Sequence, residues 1–443
     1  VQAYFGDIPA GDSVSLITEQ YPLPEEFPVS RIDEESGCTS GLEEVRIDPL
    51  VELPRYGAAV AGPPRGNPDF YALDLLTDIL SNGDSSRYEQ NIIRVGKAAA
   101  AFTGLADYLG ASVMYTIGYP NAGDSVETVE TLLRDEFTRV IEEGVTPAEL
   151  ERVKRQKLVG SITSFRDSAR STSEWLQDAV LTYGEPDIIA DELAEYESVM
   201  PEDIQRVAAK YLCNQPQNTL ITLPEGEEML ADYPGQLVEP VESAPVEGPV
   251  TGTVEIDLDD NVLAELPDGV ISRETVPASL PVGETSFPPF ETFALDNGLT
   301  VIFVEQNEVP KLNLSLYVGG GNAAVEADQQ GVPDFAVELL TKGTETLTST
   351  QIAEAIESVG GSVSANAGLE WSNLAVNSLS TDADLAFDLL ADMMLNPTFP
   401  ADEMEVIREQ TLTFLEQSEV EPDTLANRQF GRVAYGNHPY GYY

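Results

Sequence analysis

Two carboxylates stand four residues apart between Gly331 and Thr344, at Asp334 and Glu338. On a helix this spacing places both side chains on one face, where they could hold a hard cation. The alternative is a solvated helix face, which is the commoner reason for such a pair. Hard cations usually take six or more oxygen ligands, and this stretch offers far fewer. We therefore expect no metal ion at Asp334 and Glu338.

The same stretch has the spacing of a zinc motif without the zinc ligands. In H-x-x-E-H, two imidazoles four residues apart on one helix hold zinc, and the glutamate between them activates water. Here those three places hold Asp334, Val337 and Glu338. The whole chain has one histidine, His438. A site with two histidine ligands therefore cannot be built from this chain alone, and we interpret His438 as a surface loop residue.

The residues around these positions resemble the insulinase/pitrilysin family of zinc metallopeptidases. The similar residues are Gly331, Leu339, Leu340 and the sequence Lys342-Gly343-Thr344. That family takes a further glutamate ligand from a later helix, and the matching place here falls on Phe414. The resemblance thus implies degenerate former metal or catalytic positions, with no catalytic residue and no metal ligand. They are Asp334, Val337, Glu338 and Phe414.

A second resemblance lies between Ser85 and Arg94, and it concerns substrate binding. It matches the family's second-domain signature, a Ser-Ser-Arg turn that leads into a helix. In the family, the arginine of that helix and a later tyrosine hold the peptide backbone of the substrate. Arg94 is present, but the tyrosine places fall on Ala100 and Ala101. Arg94 is the one candidate substrate-binding residue, and a structural role is the favoured alternative, because a lone surface arginine usually has no special role.

The net charge of the chain is extreme. Its 443 residues include 77 acids and 23 bases, which gives −54 at pH 7. Excess hydrated carboxylate keeps a surface soluble at high ionic strength, where screening removes the self-repulsion, so we interpret the protein as salt-adapted. An acidic face for basic peptides is the weaker alternative, because the acids are spread along the chain. Nucleic acid and anionic membrane partners are disfavoured, since both require basic patches.

The sequence says little about the cellular compartment. Two cysteines far apart, Cys38 and Cys213, give no disulfide framework and no metal-ligand spacing. No apolar run approaches a membrane span, and residues 1–5 lack the basic start and apolar core of a signal peptide. We expect the chain to start within a longer protein. The resemblance favours a periplasmic or secreted protein, because bacterial relatives of this kind are often exported.

The predicted fold class is α+β, with two homologous domains, each a mostly antiparallel sheet with helices packed on one side. A long linker rich in proline and acids joins them. Residues 333–341 echo residues 68–77 with one residue of slip, which indicates an internal repeat. The predicted parts are 1–45, the end of a preceding catalytic domain and a connector; 46–225, an inactive second domain of the C-terminal type; 226–288, the linker; and 289–443, a truncated third domain of the N-terminal type with the degenerate zinc motif.

Capping and turn residues predict several element boundaries. Asn67-Pro68 and Thr146-Pro147 each open a helix, because proline fits the first helical turn. Asn297-Gly298 indicates a tight hairpin. Further predictions are a strand at 51–53, helices at 70–80, 125–143, 171–182 and 201–211, a strand at 219–223, and a helix at 351–359 capped by Ser349.

The resemblance implies a non-catalytic portion of a tandem zinc metalloendopeptidase that degrades peptides in an enclosed chamber. This portion would supply chamber wall and substrate enclosure. Zinc would belong to the full-length protein at a site upstream of Val1, with none in this segment. The expected partners are a peptide substrate and either the other half of the same chain or a homologous subunit, without membrane insertion. The alternative is a proteolytically inactive scaffold or partner subunit, and an intact H-x-x-E-H motif upstream would decide between the two.

Overall fold

The computed structural model describes residues 31–32, 39–48, 51, 53–108, 110–121, 123–224, 288–418 and 422–441. Most of the predicted opening segment and all but residue 288 of the predicted linker lie outside the described residues. The chain divides into two compact units. One unit comprises residues 1–28 and 241–306, and the other comprises 29–240 and 307–443.

A six-stranded sheet organises the first part of the larger unit. Its strands are β1 (Arg31–Ile32), β2 (Thr39–Ile47), β3 (Arg55–Gly62), β4 (Ala100–Tyr108), β5 (Ala111–Tyr119) and β6 (Gln217–Leu223). The spatial order is β1-β2-β6-β3-β5-β4. Strands β2 and β6 pair in parallel, and the other neighbours are antiparallel. The mostly antiparallel sheet matches the predicted α+β class.

Helices cover the buried face of this sheet. They are α1 (Pro68–Ser81), α2 (Val126–Glu143), α3 (Pro147–Asp167), α4 (Ala169–Tyr183), α5 (Ile189–Ser198) and α6 (Pro201–Val207). Asn67 caps α1 by accepting from the backbone N–H of Asp69 at 2.9 Å, and Thr146 forms a capping box with Glu149 at the start of α3. The helices bury α1 almost completely, together with alternate residues of the strands. We call the described residues 31–224 the first body.

The secondary structure of the first body differs from the prediction in several places. Val51 and Leu53, from the strand expected at 51–53, are not in a strand, and β2 ends at Ile47. The helix expected after Ser85 forms over residues 87–93, of which Glu89–Ile93 are π-helical. Strands β1, β2 and β4 and helix α5 were not predicted. Alanine and glycine in β4 obscure the alternation that identifies a strand.

The second part of the larger unit, described residues 307–441, is here called the second body. Its antiparallel sheet has the order β10-β11-β9, from β9 (Lys311–Gly319), β10 (Ser362–Ala367) and β11 (Trp371–Leu379). Its helices are α7 (Val332–Leu339), α8 (Ser349–Glu357), α9 (Ala383–Leu395), α10 (Ala401–Ser418) and α11 (Pro422–Tyr435). A separate hydrophobic core joins α8 and α9 to β11 through Ile356, Val376 and Met393.

The boundaries of the second body follow the predicted pattern with two differences. Thr348, rather than Ser349, caps α8, and Gln351 completes the capping box. Helix α11 was not predicted. Its described side chains are largely exposed, and none of them is buried.

A hairpin of the other unit follows the predicted turn. Strands β7 (Phe290–Ala294) and β8 (Thr300–Val304) pair antiparallel around Asn297 and Gly298. Gly298 has φ +86°, a conformation that favours glycine.

The two distant cysteines predicted no disulfide framework, and one of them nevertheless forms a disulfide. Cys213 is disulfide-bonded, and the one other cysteine of the chain, Cys38, lies outside the described residues. Among the described helices, none is both long enough and apolar enough to cross a bilayer.

Candidate functional site

The three former motif positions lie on α7 with three different environments. Asp334 accepts a hydrogen bond from Asn322 Nδ2 at 2.8 Å, and Asn322 is fully buried. Val337 is 9% exposed and packs towards the sheet. Glu338 is half-buried. Each position therefore has a partner or a packing role that differs from metal ligation.

Glu338 lies in a charged environment with Lys342 and Asp84. Burial raises the pKa of Glu338, Lys342 lowers it, and the carboxylates of Asp84 and Asp334 raise it further. Lys342 Nζ lies 3.5 Å from the carboxylate of Asp84. Burial lowers the pKa of Lys342, but the surrounding carboxylates outweigh this and hold it above its usual value. A protonated lysine beside Glu338 disfavours a cation there.

An apolar pocket of about 250 Å³ lies behind α7. Its lining includes Val318, Pro333, Val337, Leu340 and Phe399. Phe399 has φ +48°, in the left-handed region, which is strained for a bulky residue. Hydrophobic side chains form most of the pocket lining, and Val337 is part of its wall.

The residues at the former motif do not fit zinc. A valine offers no donor atom, Asp334 is hydrogen-bonded to Asn322, and Glu338 has a lysine nearby. Within the residues that the structure describes, no three His, Cys, Asp or Glu side chains lie close enough to hold a metal ion.

The two other positions singled out from the sequence, Phe414 and His438, are exposed on the surface. Phe414, on α10, is 67% exposed. His438 is exposed, its Nδ1 accepts from the backbone N–H of Tyr440 at 3.3 Å, and its ring meets the Tyr440 ring edge-on. His438 therefore lies in a surface turn.

Arg94 connects the two bodies. Its guanidinium donates to the hydroxyl of Thr350 at 2.5 Å and forms an ion pair with Glu403. The Arg94 side chain is 18% exposed, and that of Glu403 is 10% exposed. Ala100 and Ala101, at the tyrosine places, begin β4. This geometry favours the structural role of Arg94, and its substrate-binding role stays a prediction.

A buried carboxylate socket, which the sequence did not indicate, lies between the same two bodies. Glu357, at the last turn of α8, accepts from the backbone N–H groups of Asp84 at 2.7 Å and Ser85 at 3.4 Å. It also accepts from the Ser85 hydroxyl and from Arg152 Nη1 at 3.1 Å. Burial raises the pKa of Glu357, although Ser85 and Arg152 act in the opposite direction. The Ser-Ser-Arg turn thus holds a carboxylate of the second body.

The other face of the six-stranded sheet carries a row of apolar residues next to the charged Arg55 and Glu44. Phe102, Ile117, Gly57 and Leu220 lie side by side in register across β4, β5, β3 and β6. Phe102 and Leu220 are more than a third exposed. These four residues are uncharged, and on the next strand, β2, the row continues to Glu44, which pairs with Leu220. We call this row and its neighbours the open face.

Aromatic rings enlarge the open face. Phe102 stacks with Tyr119 at a centroid distance of 6.5 Å. A Cβ on Gly104 would lie 2.7 Å from the Tyr115 hydroxyl, so the absence of a side chain lets that ring lie over β4. Aromatic rings and small residues together make a surface suited to apolar side chains.

Two family models match this chain. The model for insulinase, peptidase family M16, matches residues 300–442, and the model for the peptidase M16 inactive domain matches residues 1–157. The first match includes the degenerate helix α7. The second includes the Ser-Ser-Arg turn and the sheet strands β2 to β5.

Known proteins with similar sequences are described as zinc proteases. The uncharacterized zinc protease YmxG of Bacillus subtilis is 28% identical over 152 residues, 34% of this chain and 37% of that protein. An uncharacterized zinc protease of Mycobacterium leprae is 31% identical over 147 residues, 33% of each chain. The chain spans about a third of the length of these curated relatives. A protease from Helicobacter pylori has a solved structure that is 18% identical, with a TM-score of 0.39, over 49% of this chain and 54% of that chain.

Proposed function

Because this chain belongs to the insulinase/pitrilysin family of M16 peptidases, we propose that it is a non-catalytic portion of a tandem zinc metalloendopeptidase. In this proposal, residues 46–225 are an inactive second domain and residues 289–443 a degenerate third domain. The full protein degrades peptides in an enclosed chamber, and this portion supplies wall and encloses substrate. Zinc belongs to a site elsewhere in the full protein.

The proposal that this portion is non-catalytic rests on Val337, which stands where the zinc motif has its glutamate. Val337 is buried in an apolar pocket wall, so no carboxylate is available there to activate water. Asp334 and Glu338 have protein partners that a zinc ligand would have to give up. The helix remains in place and packs against the sheet without the catalytic groups.

The open face supports the proposed wall role. A chamber that encloses peptides needs surfaces that tolerate many side chains without strong charge. Phe102, Ile117 and Leu220 supply neighbouring apolar residues for such a surface, although Glu44 lies beside Leu220. Its aromatic rings can contact apolar side chains of an extended peptide.

The alternative function is an inactive scaffold or partner subunit of the same family. The longer coding sequence decides between the two. An intact H-x-x-E-H motif upstream of Val1 supports the catalytic full-length protein, and its absence supports the scaffold.

A peptidase assay on this chain tests the non-catalytic assignment. We expect the rate of cleavage of a quenched fluorescent peptide library to equal the buffer blank, with and without a zinc chelator. The variant D334H/V337E/E338H, which restores the motif residue types, serves as the matched comparison under the same conditions. Cleavage by the unmodified chain that the chelator abolishes would overturn the assignment.

A further inference from the structure

Charged side chains join the first and second bodies. Four ion pairs cross between them: Arg94 with Glu403, Arg152 with Glu357 at 3.1 Å, Lys342 with Asp84 at 3.5 Å, and Arg155 with Asp382 at 3.9 Å. Glu89 and Glu338 lie close enough to Lys342 for their charges to raise its pKa. We call Glu89, Glu338 and the six residues of the first three pairs the clasp.

The clasp is closely fitted around Glu357. The backbone N–H groups of Asp84 and Ser85 donate to its carboxylate. A Cβ on Gly83, which has φ +88°, would lie 2.4 Å from Glu357 Oε1. Glycine is therefore required for the carboxylate to approach this turn. Such a fit indicates a specific contact between the two bodies.

The clasp contains more carboxylates than cations. Its cations are Arg94, Arg152 and Lys342, and its carboxylates are Asp84, Glu89, Glu338, Glu357 and Glu403. Each cation has a carboxylate partner, so Glu89 and Glu338 are the surplus. Like charges held close together in a partly buried site repel, and this repulsion opposes the contact.

Of the two surplus carboxylates, Glu89 has the more strongly raised pKa. Burial and the neighbouring Asp84 raise its pKa to about 7, Lys342 and Arg94 lower it, and Glu403 raises it. These four charged residues, two from the first body and two from the second, have the largest electrostatic effects on Glu89. Protonation of Glu89 removes one of the two surplus charges.

We propose that the clasp is a contact operated by pH and salt, which holds the two bodies together when its surplus carboxylates are protonated or screened and loosens when they are charged in dilute salt. The proposal stands on the contacts of the clasp and does not depend on the peptidase assignment. The proposal also connects the acidity of the chain to this contact. At a high salt concentration, screening of the surplus carboxylates favours the closed clasp.

The direction of the pH effect follows from linkage. When the clasp opens, water returns to Glu89 and its pKa falls towards the ordinary value of 4.5. The closed form therefore binds the proton more tightly. Between that ordinary value and about pH 7, each rise of one pH unit lowers the ratio of closed to open form by up to about tenfold. Above that range Glu89 is charged in both forms and contributes no further change.

The salt effect has the opposite direction. The screening length falls from about 10 Å at 0.1 M salt to about 3 Å at 1 M. The ion pairs are direct contacts, at 3.1 Å for Arg152 with Glu357, and salt screens such contacts less than it screens charges that are not in contact. We therefore expect salt to favour the closed form.

Hydrogen exchange at two amides reports the clasp directly in the unmodified chain. The backbone N–H groups of Asp84 and Ser85 donate to Glu357 across the contact, so opening exposes them to exchange. In about 0.1 M KCl, we expect their protection factors, corrected for intrinsic exchange, to fall as the pH rises to about 7. In about 2 M KCl the protection should be higher and less dependent on pH. Amides of β5 serve as the internal reference for global unfolding.

Two variants identify the group responsible. E89Q keeps the shape of the side chain and should flatten the pH dependence of protection at Asp84 and Ser85. E185Q, at an exposed glutamate of the first body, removes the same charge elsewhere and should leave the dependence unchanged. E357Q should lower protection at these two amides under all conditions. The same pH dependence in E89Q and in the unmodified chain would overturn the proposal, as would protection that is independent of both pH and salt.

Discussion

Glu357 of α8 forms a buried ion pair with Arg152 of α3 at 3.1 Å, although 205 residues separate them in the sequence. Glu357 is 6% exposed and Arg152 is 7% exposed. Arg152 also donates to the backbone carbonyl of Asn82 at 2.9 Å, which fixes its guanidinium beside the Ser-Ser-Arg turn. The pair therefore connects two bodies that have separate hydrophobic cores.

We predict that E357A destabilises the chain by about 3–5 kcal/mol, because it leaves the buried guanidinium of Arg152 without its carboxylate. Urea unfolding measured by circular dichroism gives this free energy. Burial disfavours the charged form of Glu357. We therefore expect the intact ion pair to stabilise the folded chain little more than a pair of apolar side chains would. The double variant R152L/E357L should accordingly lose much less than E357A. Equal losses in the single and double variants would contradict this interpretation.

A second prediction concerns the former glutamate position of the zinc motif. V337E places a carboxylate in the apolar wall beside Leu340 and Phe399, and we expect a loss of at least about 2 kcal/mol in unfolding free energy. V332E on the same helix is the matched control, because Val332 is 56% exposed, and it should cost less than about 0.5 kcal/mol. Similar costs for the two variants would mean that position 337 has not become part of the apolar core.

A third prediction concerns the core of the first body. Leu76 of α1 is 0% exposed, so L76A should lower the free energy of unfolding by about 2–5 kcal/mol. Leu181 of α4 is 61% exposed, and L181A should change it by less than about 0.5 kcal/mol. Chemical denaturation of both variants tests the assignment of α1 as the central helix. A small effect at Leu76 would contradict it.

A fourth prediction concerns salt. With a net charge of −54, the folded chain repels itself in dilute solution, and screening relieves that repulsion. We expect the melting temperature to rise steadily between about 0.1 M and about 2 M KCl. Differential scanning calorimetry measures the change. A melting temperature that falls or stays constant over this range would contradict the interpretation of the protein as salt-adapted.

Local sequence patterns predicted much of the secondary structure, because caps and periodicity are local properties. Asn67, Ser125 and Thr146 each cap the helix expected after them, and Gly298 forms the expected turn. The cap of α8 was misplaced by one residue, from Thr348 to Ser349, because both residues can cap and only the capping box with Gln351 distinguishes them.

Contacts distant in sequence could not be predicted in this way. The ion pair of Arg94 with Glu403 joins residues 309 apart, and no periodicity connects them. Asn322, which binds Asp334, lies in a short 3₁₀ turn that the sequence did not indicate. The expectation that this chain cannot build a site with two histidine ligands came from the composition alone, whereas the use of the Ser-Ser-Arg turn as a carboxylate socket required the three-dimensional structure.

The most direct test of the central claim is the zinc content of this chain. After purification and dialysis against zinc, inductively coupled plasma mass spectrometry should detect far less than one zinc ion per chain, because Asp334, Val337 and Glu338 do not form a ligand set. The full-length protein, measured in parallel, should bind about one zinc ion if its motif lies upstream. One tightly bound zinc ion per chain in residues 1–443 alone would contradict the account.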